Sequence, residues 1–333
     1  MKIKLLIVSD DDSYTNHLSR VLVEKHGDVF EVSICSREER LQEMLTAHRF
    51  DVALIESTLA VRSNLQGIQL PLILWCDTEA FEAEIGDYPN IRKYQRISYI
   101  VRDILEQYAA ISSKSAVFGS SQAHVTVVWS PAGGSGKTTA ALAYAAQRVA
   151  TGKKTVYLDL QNFSCSSVYF QQSGKSISAL FEKMDGNIEL LVQSIRQQDS
   201  ESGIYYFCQP ENYDDINILT TEDLLDLIDG CSKGVDELVI DLSSVCDEKT
   251  RELLKLSNTV LLVLDASRSA KAKWEQFRTQ HNIYEQIRSK ILLVANRGAQ
   301  AESVEGAEIV YFPYVQSANP VVVYKTLSVN FPQ

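Results

Sequence analysis

The sequence predicts an α/β protein of two domains, each a mainly parallel sheet between helical layers (α/β/α). Three observations carry this. Short apolar runs alternate with amphipathic stretches through residues 1–108, the same alternation restarts at 124 and continues to 333, and the stretch between them, 109–123 (AAISSKSAVFGSSQA), is small and rich in serine. Strands spaced by helix-length segments indicate βαβ units and a parallel sheet, whereas a run of small polar residues reads as a linker. A length of 333 residues suits two domains of roughly 150 residues each.

The first block opens with the strand-like run Ile3 to Ser9, rich in Ile, Leu and Val, which ends in Asp10-Asp11-Asp12. Helical stretches at Tyr14 to Lys25 and Arg37 to His48 alternate with strand-like runs at Val29 to Ile34, Val52 to Ile55 and Leu72 to Cys76, and Ile97 to Tyr108 closes the block. The second block opens with Val125 to Trp129. Further strand-like segments lie at Thr155 to Leu158, Ile204 to Phe207, Leu238 to Ile240, Thr259 to Leu264, Ile291 to Ala295 and Val310 to Phe312, with helical stretches between them.

Composition narrows the function classes. The 32 basic residues against 43 acidic ones leave a net charge of −11, which repels phosphate backbones and anionic lipid and disfavours bulk DNA binding. The one dense basic patch, Arg268, Lys271 and Lys273, is short. Six scattered cysteines without a C-x-x-C pair lack the spacing of a zinc, iron–sulfur or disulfide framework. The longest apolar runs fall short of the ~20 residues of a membrane helix, and the N-terminus has no signal-peptide core. A cytoplasmic protein is expected.

The strongest chemical signal is Ser130-Pro131-Ala132-Gly133-Gly134-Ser135-Gly136-Lys137-Thr138-Thr139, preceded by a strand and followed by the Ala-rich helix Ala140 to Ala150. Glycines at 133, 134 and 136 let backbone N–H groups turn inward around phosphate oxygens, and the helix N-terminus adds partial positive charge. The expected nucleotide-binding set is Gly133, Gly134, Ser135, Gly136, Lys137, Thr138 and Thr139. Lys137 reaches the β/γ-phosphates, and the Thr138 hydroxyl ligates Mg²⁺. ATP and Mg²⁺ are the expected cofactors.

Pro131 stands where the strict G-x-x-x-x-G-K-[ST] pattern has glycine. The stretch instead resembles the deviant loop of the ParA/MinD family of P-loop NTPases, K-G-G-x-G-K-[ST], filled here by Gly133, Gly134, Gly136, Lys137 and Thr138, with the family's first lysine falling on Ala132. In that family the lysine crosses a nucleotide-sandwich homodimer, so the resemblance implies a dimer that hydrolyses ATP slowly at most. Thr155 to Gln161 resembles the family strand ending in D-x-D. By that resemblance Asp159 acts with Lys137 in catalysis, orienting water and metal, and Gln161 replaces the second carboxylate. Leu238 to Asp241 resembles the Walker B strand, which makes Asp241 a metal-site residue beside Thr138. Leu292 to Arg297 resembles the adenine-contacting strand end, where the amide of Asn296 would pair with the base. Tyr311 to Tyr314 falls in the base-flanking region.

Residues 1–108 resemble a receiver (flavodoxin-like) domain. Asp10 and Asp11 match the acidic pair, Phe50 to Glu56 matches the strand leading to the phosphoacceptor, Lys93 takes the place of the switch lysine, and Cys76 that of the switch hydroxyl. Glu56 replaces the acceptor aspartate, which disfavours phosphotransfer. An atypical receiver, a linker and a ParA/MinD-like ATPase domain in one chain resemble the TadZ/CpaE family of tight-adherence (Flp/type IVb) pilus assembly. The resemblance implies localisation at a cell pole or the inner membrane face, and pilus or secretion-machinery partners including an assembly ATPase. A positioning ATPase for another cargo and a response regulator with an unphosphorylated receiver are the alternatives.

Overall fold

The computed structural model describes residues 2–27, 29–60, 65–76, 88–111, 123–181, 188–299 and 308–332. Residues 112–122 of the expected linker lie outside them. The chain forms two compact units, the first holding the N-terminal block together with residues 188–194, and the second the rest of the C-terminal block.

In the first unit the elements run β1 (Ile3–Val8), α1 (Asp12–His26), β2 (Phe30–Cys35), α2 (Glu38–Ala47), β3 (Phe50–Glu56), α3 (Ser57–Ala60), β4 (Ile68–Trp75), β5 (Asn90–Arg92) and α4 (Ile97–Ile111). The sheet order is β2-β1-β3-β4-β5, and every pairing is parallel. Helices on both faces explain why β1 reads as a continuous apolar run: Leu5, Leu6, Ile7 and Val8 are all fully buried. Asp11 stops the strand and starts α1 by accepting from Tyr14 N at 3.0 Å. Val8 pairs with Ile55 in register, so the residues that follow β1 emerge beside Glu56. Strand β5, too short to announce itself in the sequence, carries the chain to Lys93.

The second unit contains β6 (His124–Trp129), α5 (Lys137–Ala150), β7 (Thr155–Asp159), α6 (Ser178–Phe181), β8 (Gln197–Gln198), β9 (Tyr205–Tyr206), α8 (Asp215–Ile218), α9 (Thr221–Ser232), β10 (Glu237–Asp241), α10 (Glu248–Leu256), β11 (Thr259–Leu264), α11 (Arg268–Arg278), α12 (His281–Ile287), β12 (Ile291–Ala295), β13 (Glu308–Tyr311) and α13 (Pro320–Ser328); α7 (Ile188–Ile195) falls between α6 and β8. Its eight strands are ordered β13-β12-β11-β6-β10-β7-β9-β8. All are parallel except the β8–β9 pair. The alanines of α5 are structural: Ala140, Ala141, Ala143 and Ala145 are fully buried and let the helix lie close on the sheet. Tyr144 packs edge-on against Phe331, and Phe331 against Phe312, which fastens the residues after α13 to α5 and β13. Among the described residues no helix is long and apolar enough to cross a membrane.

Candidate functional site

The centre of the second unit lies at the C-terminal ends of β6, β7 and β10, where open parallel sheets place their ligands. β10 sits between β6 and β7, and its register sets Asp241 beside Val128 on one side and Asp159 on the other. The turn after β6 delivers the glycine loop to the same edge. Gly134 and Gly136 have φ of +74° and +95°, conformations that favour glycine. A Cβ at 133 or 134 would meet nothing within 4 Å, so the loop presents an open face there; at 136 it would lie 2.2 Å from Asn296 Nδ2. A side chain at 136 is therefore excluded both by strain and by collision.

Lys137, the first residue of α5, is buried, and its Nζ donates to Ser244 Oγ at 2.8 Å. Burial lowers its pKa, and the charge of Asp241 acts against that. Thr138 Oγ1 donates to Asp241 Oδ2 at 2.6 Å, and the same oxygen accepts from Tyr157 Oη at 3.0 Å and Gln161 Nε2 at 2.8 Å. Gln161 Nε2 also donates to Thr138 Oγ1 at 3.0 Å. Asp241 is fully buried, which with the charge of Asp159 pushes its pKa up to about 7. Asp159 is pushed to about 6 by burial, against hydrogen bonds from Ser164 Oγ at 2.7 Å and Gln161 N at 3.0 Å. A buried carboxyl, Asp241, and a half-buried one, Asp159, both raised above their ordinary range, suit a place for a cation or a proton.

Two buried side-chain atoms at this edge have no hydrogen-bond partner among the described residues, Ser135 Oγ and Asp241 Oδ1. A buried polar atom left without a partner is costly, and a bound polar group at this edge would satisfy both. Glycines with an open face, a helix N-terminus, a buried lysine and these two atoms fit a phosphate chain. Thr138 and Asp241 supply hard oxygens suited to Mg²⁺, which commonly takes one or two carboxylates and completes its shell with water and phosphate. Among the described residues no group of three or more His, Cys, Asp or Glu is placed to hold a metal by itself.

The structure brings Gly133 through Thr138, Asp159 and Asp241 together, with Thr139 one residue further into α5 against the Tyr169 hydroxyl. Asn296 is buried, its Nδ2 donates to Ser135 O at 2.8 Å, and its Oδ1 accepts from Arg297 N at 2.9 Å. These bonds tie the amide to the glycine loop and leave one Nδ2 hydrogen and one Oδ1 lone pair over. Sequence reasoning missed Tyr157 and Ser244. Tyr157 was legible by strand periodicity, since it shares a face with Asp159 two residues on. Nothing local marked Ser244, which acquires its role only when the turn after β10 folds back to Lys137.

The first unit carries its own polar cluster at the ends of β1 and β3. Glu56 is buried and accepts from Ser9 Oγ at 2.6 Å, Asp10 N at 3.2 Å and Lys93 Nζ at 2.6 Å. Lys93 also lies 3.3 Å from Asp11 and stands over the rings of Tyr14 and Tyr94 at 5.0 and 5.1 Å. Burial alone would raise the Glu56 carboxyl, but the hydrogen bonds from Lys93, Ser9 and Asp10 outweigh it and hold it below its ordinary range. Asp10 shifts the other way, raised by its hydrogen bond to Glu56 and the adjacent charge. Glu56 and Lys93 thus form a buried ion pair at this end of the sheet.

Comparison with known proteins agrees with both halves. Residues 1–109 match the family described as TadZ-like, receiver domain. No curated protein sequence matches the chain. Among solved structures, a ParA family ATPase from Chlorobium tepidum TLS is 17% identical over 62% of this chain and 90% of its own, with a TM-score of 0.51. A putative plasmid partition protein from Borrelia burgdorferi B31 bound to AMPPNP is 14% identical over 63% of this chain and 98% of its own, at a TM-score of 0.43. MinD from Pyrococcus horikoshii OT3, complexed with Mg-ADP, is 13% identical over 62% and 94%, at 0.45. Residues 1–109 thus match the TadZ-like receiver domains, and the domain that follows has the fold of the ParA family ATPase.

Proposed function

We propose that the chain is a nucleotide-controlled localisation factor that helps position and assemble a tight-adherence (Flp/type IVb) pilus secretion machine at the cell pole. The observation that carries this reading is the convergence of the glycine loop, Lys137, Thr138, Asp159 and Asp241 at one sheet edge, in a chain that begins with a TadZ-like receiver domain. In this reading ATP lies along the loop. Lys137 leaves Ser244 for the β- and γ-phosphates, Thr138 and Asp241 hold Mg²⁺, and Asp159 orients water. The cation neutralises phosphate charge when bound.

The nucleotide joins two copies face to face in an isologous homodimer. Ala132 is buried in its own loop, so no side chain from position 132 reaches across to a partner's phosphates. Groups of that kind typically supply about 10²–10³ in rate, and the dimer is therefore long-lived and turns over slowly. The receiver serves as a docking surface, since the Glu56–Lys93 pair stands where phosphate would be accepted. The assembly ATPase and other pilus proteins are the proposed partners.

A fluorescently tagged chain is expected to form a polar focus in its own cells, and Lys137→Ala is expected to disperse it. A focus of equal intensity in both would overturn nucleotide control.

A further inference from the structure

Gln161 stands where the D-x-D pattern has its second carboxylate, and its amide spans the two groups best suited to a divalent cation. Nε2 donates to Thr138 Oγ1 at 3.0 Å and to Asp241 Oδ2 at 2.8 Å, while those two oxygens are themselves joined at 2.6 Å. The orientation of the amide follows from its neighbours. Turned over, Oε1 would face the Asp241 carboxylate, acceptor against acceptor, whereas the NH₂ group supplies one hydrogen to each oxygen. Asp241 Oδ2 thereby receives three donors, from Thr138, Tyr157 and Gln161, while Oδ1 has none.

A cation seated between Thr138 Oγ1 and Asp241 Oδ2 enters the space where the Gln161 amide bridges these two oxygens, so the two compete for them. We propose that Gln161 is a specificity-determining residue of the nucleotide site, a neutral stand-in for the divalent cation that competes with it for Thr138 and Asp241. Nucleotide binding by this chain is accordingly less dependent on Mg²⁺ than its threonine and aspartate would make it. A carboxylate at 161 would do the opposite, since it attracts the cation and has no hydrogen to offer Asp241. This inference rests on the proposed nucleotide site.

The test is the affinity of the full chain for the fluorescent analogue mant-ATP, in EDTA and in saturating Mg²⁺, for the wild type, Gln161→Ala and Gln161→Asp. The quantity read is the ratio of the two dissociation constants. Loss of one hydrogen bond to a charged group corresponds to about tenfold, so the ratio is expected to rise at least about tenfold in Gln161→Ala and further in Gln161→Asp. A circular-dichroism melt checks each variant's fold, and Gln161→Glu replaces Gln161→Ala should the alanine variant fail it. Binding with a ratio unchanged within about twofold, or lowered, overturns the role of Gln161 and leaves the nucleotide site standing. Absence of binding by the wild type in both conditions overturns the nucleotide site and this inference with it.

Discussion

Lys137→Ala is expected to weaken ATP binding by about 100-fold or more. The lysine is buried at the start of α5, its Nζ held at the sheet edge by Ser244, so no other lysine or arginine of the loop Ser130 to Thr139 can take its place. Each charge-assisted hydrogen bond lost to a phosphate oxygen is worth about 1.5–3 kcal/mol, and a lysine at this position makes more than one. Burial lowers its pKa, and an anion beside it favours the charged form, so binding and protonation reinforce each other. Titration calorimetry of wild type and variant in the same Mg²⁺ buffer measures the difference. Equal affinities would contradict the placement of the phosphates along the loop.

Lys93→Ala is expected to destabilise the receiver domain by about 3–5 kcal/mol, because removing one partner of a buried ion pair leaves the other charge uncompensated. The side chains of Lys93 and Glu56 are only 5% and 10% exposed and 2.6 Å apart. The double variant Lys93→Met with Glu56→Leu should recover much of the loss, since apolar replacement of both partners removes the stranded charge. The pair also sets a pH window. Glu56 is held below its ordinary value of 4.5, so its contribution is present above that value and lost as pH falls through the folded pKa. Lys93 is raised above 10.5, chiefly by Glu56 against the effect of burial, so its contribution is present below 10.5 and lost as pH rises through the folded value. Both act fully near neutrality. Hydrogen exchange of β1 and β3 in the full chain reads the effect: exchange should quicken in Lys93→Ala at pH 7, and unchanged protection would contradict the account.

Much of the fold was legible because parallel strands buried on both faces write themselves as unbroken apolar runs. Thr259 to Leu264 and Ile291 to Ala295 match the observed strands end to end. The short edge pieces were not legible: β5 and β8 hold three and two residues, too few for a period to show. In the site, the loop and its two aspartates were legible since glycine spacing and strand-end acids are local features. The bond of Asn296 to the loop was not legible, for the opposite reason. An amide at a strand end fits either a base or a backbone carbonyl, and only the fold brings Ser135 O, 161 positions away in sequence, within 2.8 Å. The hold of Gln161 on Thr138 and Asp241 was equally invisible, because it joins three elements through side chains alone.

In the proposed function nucleotide joins two copies of this chain and hydrolysis parts them slowly. Light scattering of the wild-type protein with and without ATP–Mg²⁺, run beside a phosphate-release assay, tests it most directly. A monomer is expected without nucleotide and a dimer with it, releasing phosphate far below the ~10 s⁻¹ median of enzymes in general. A monomer in both conditions, or turnover at that median rate, would contradict it.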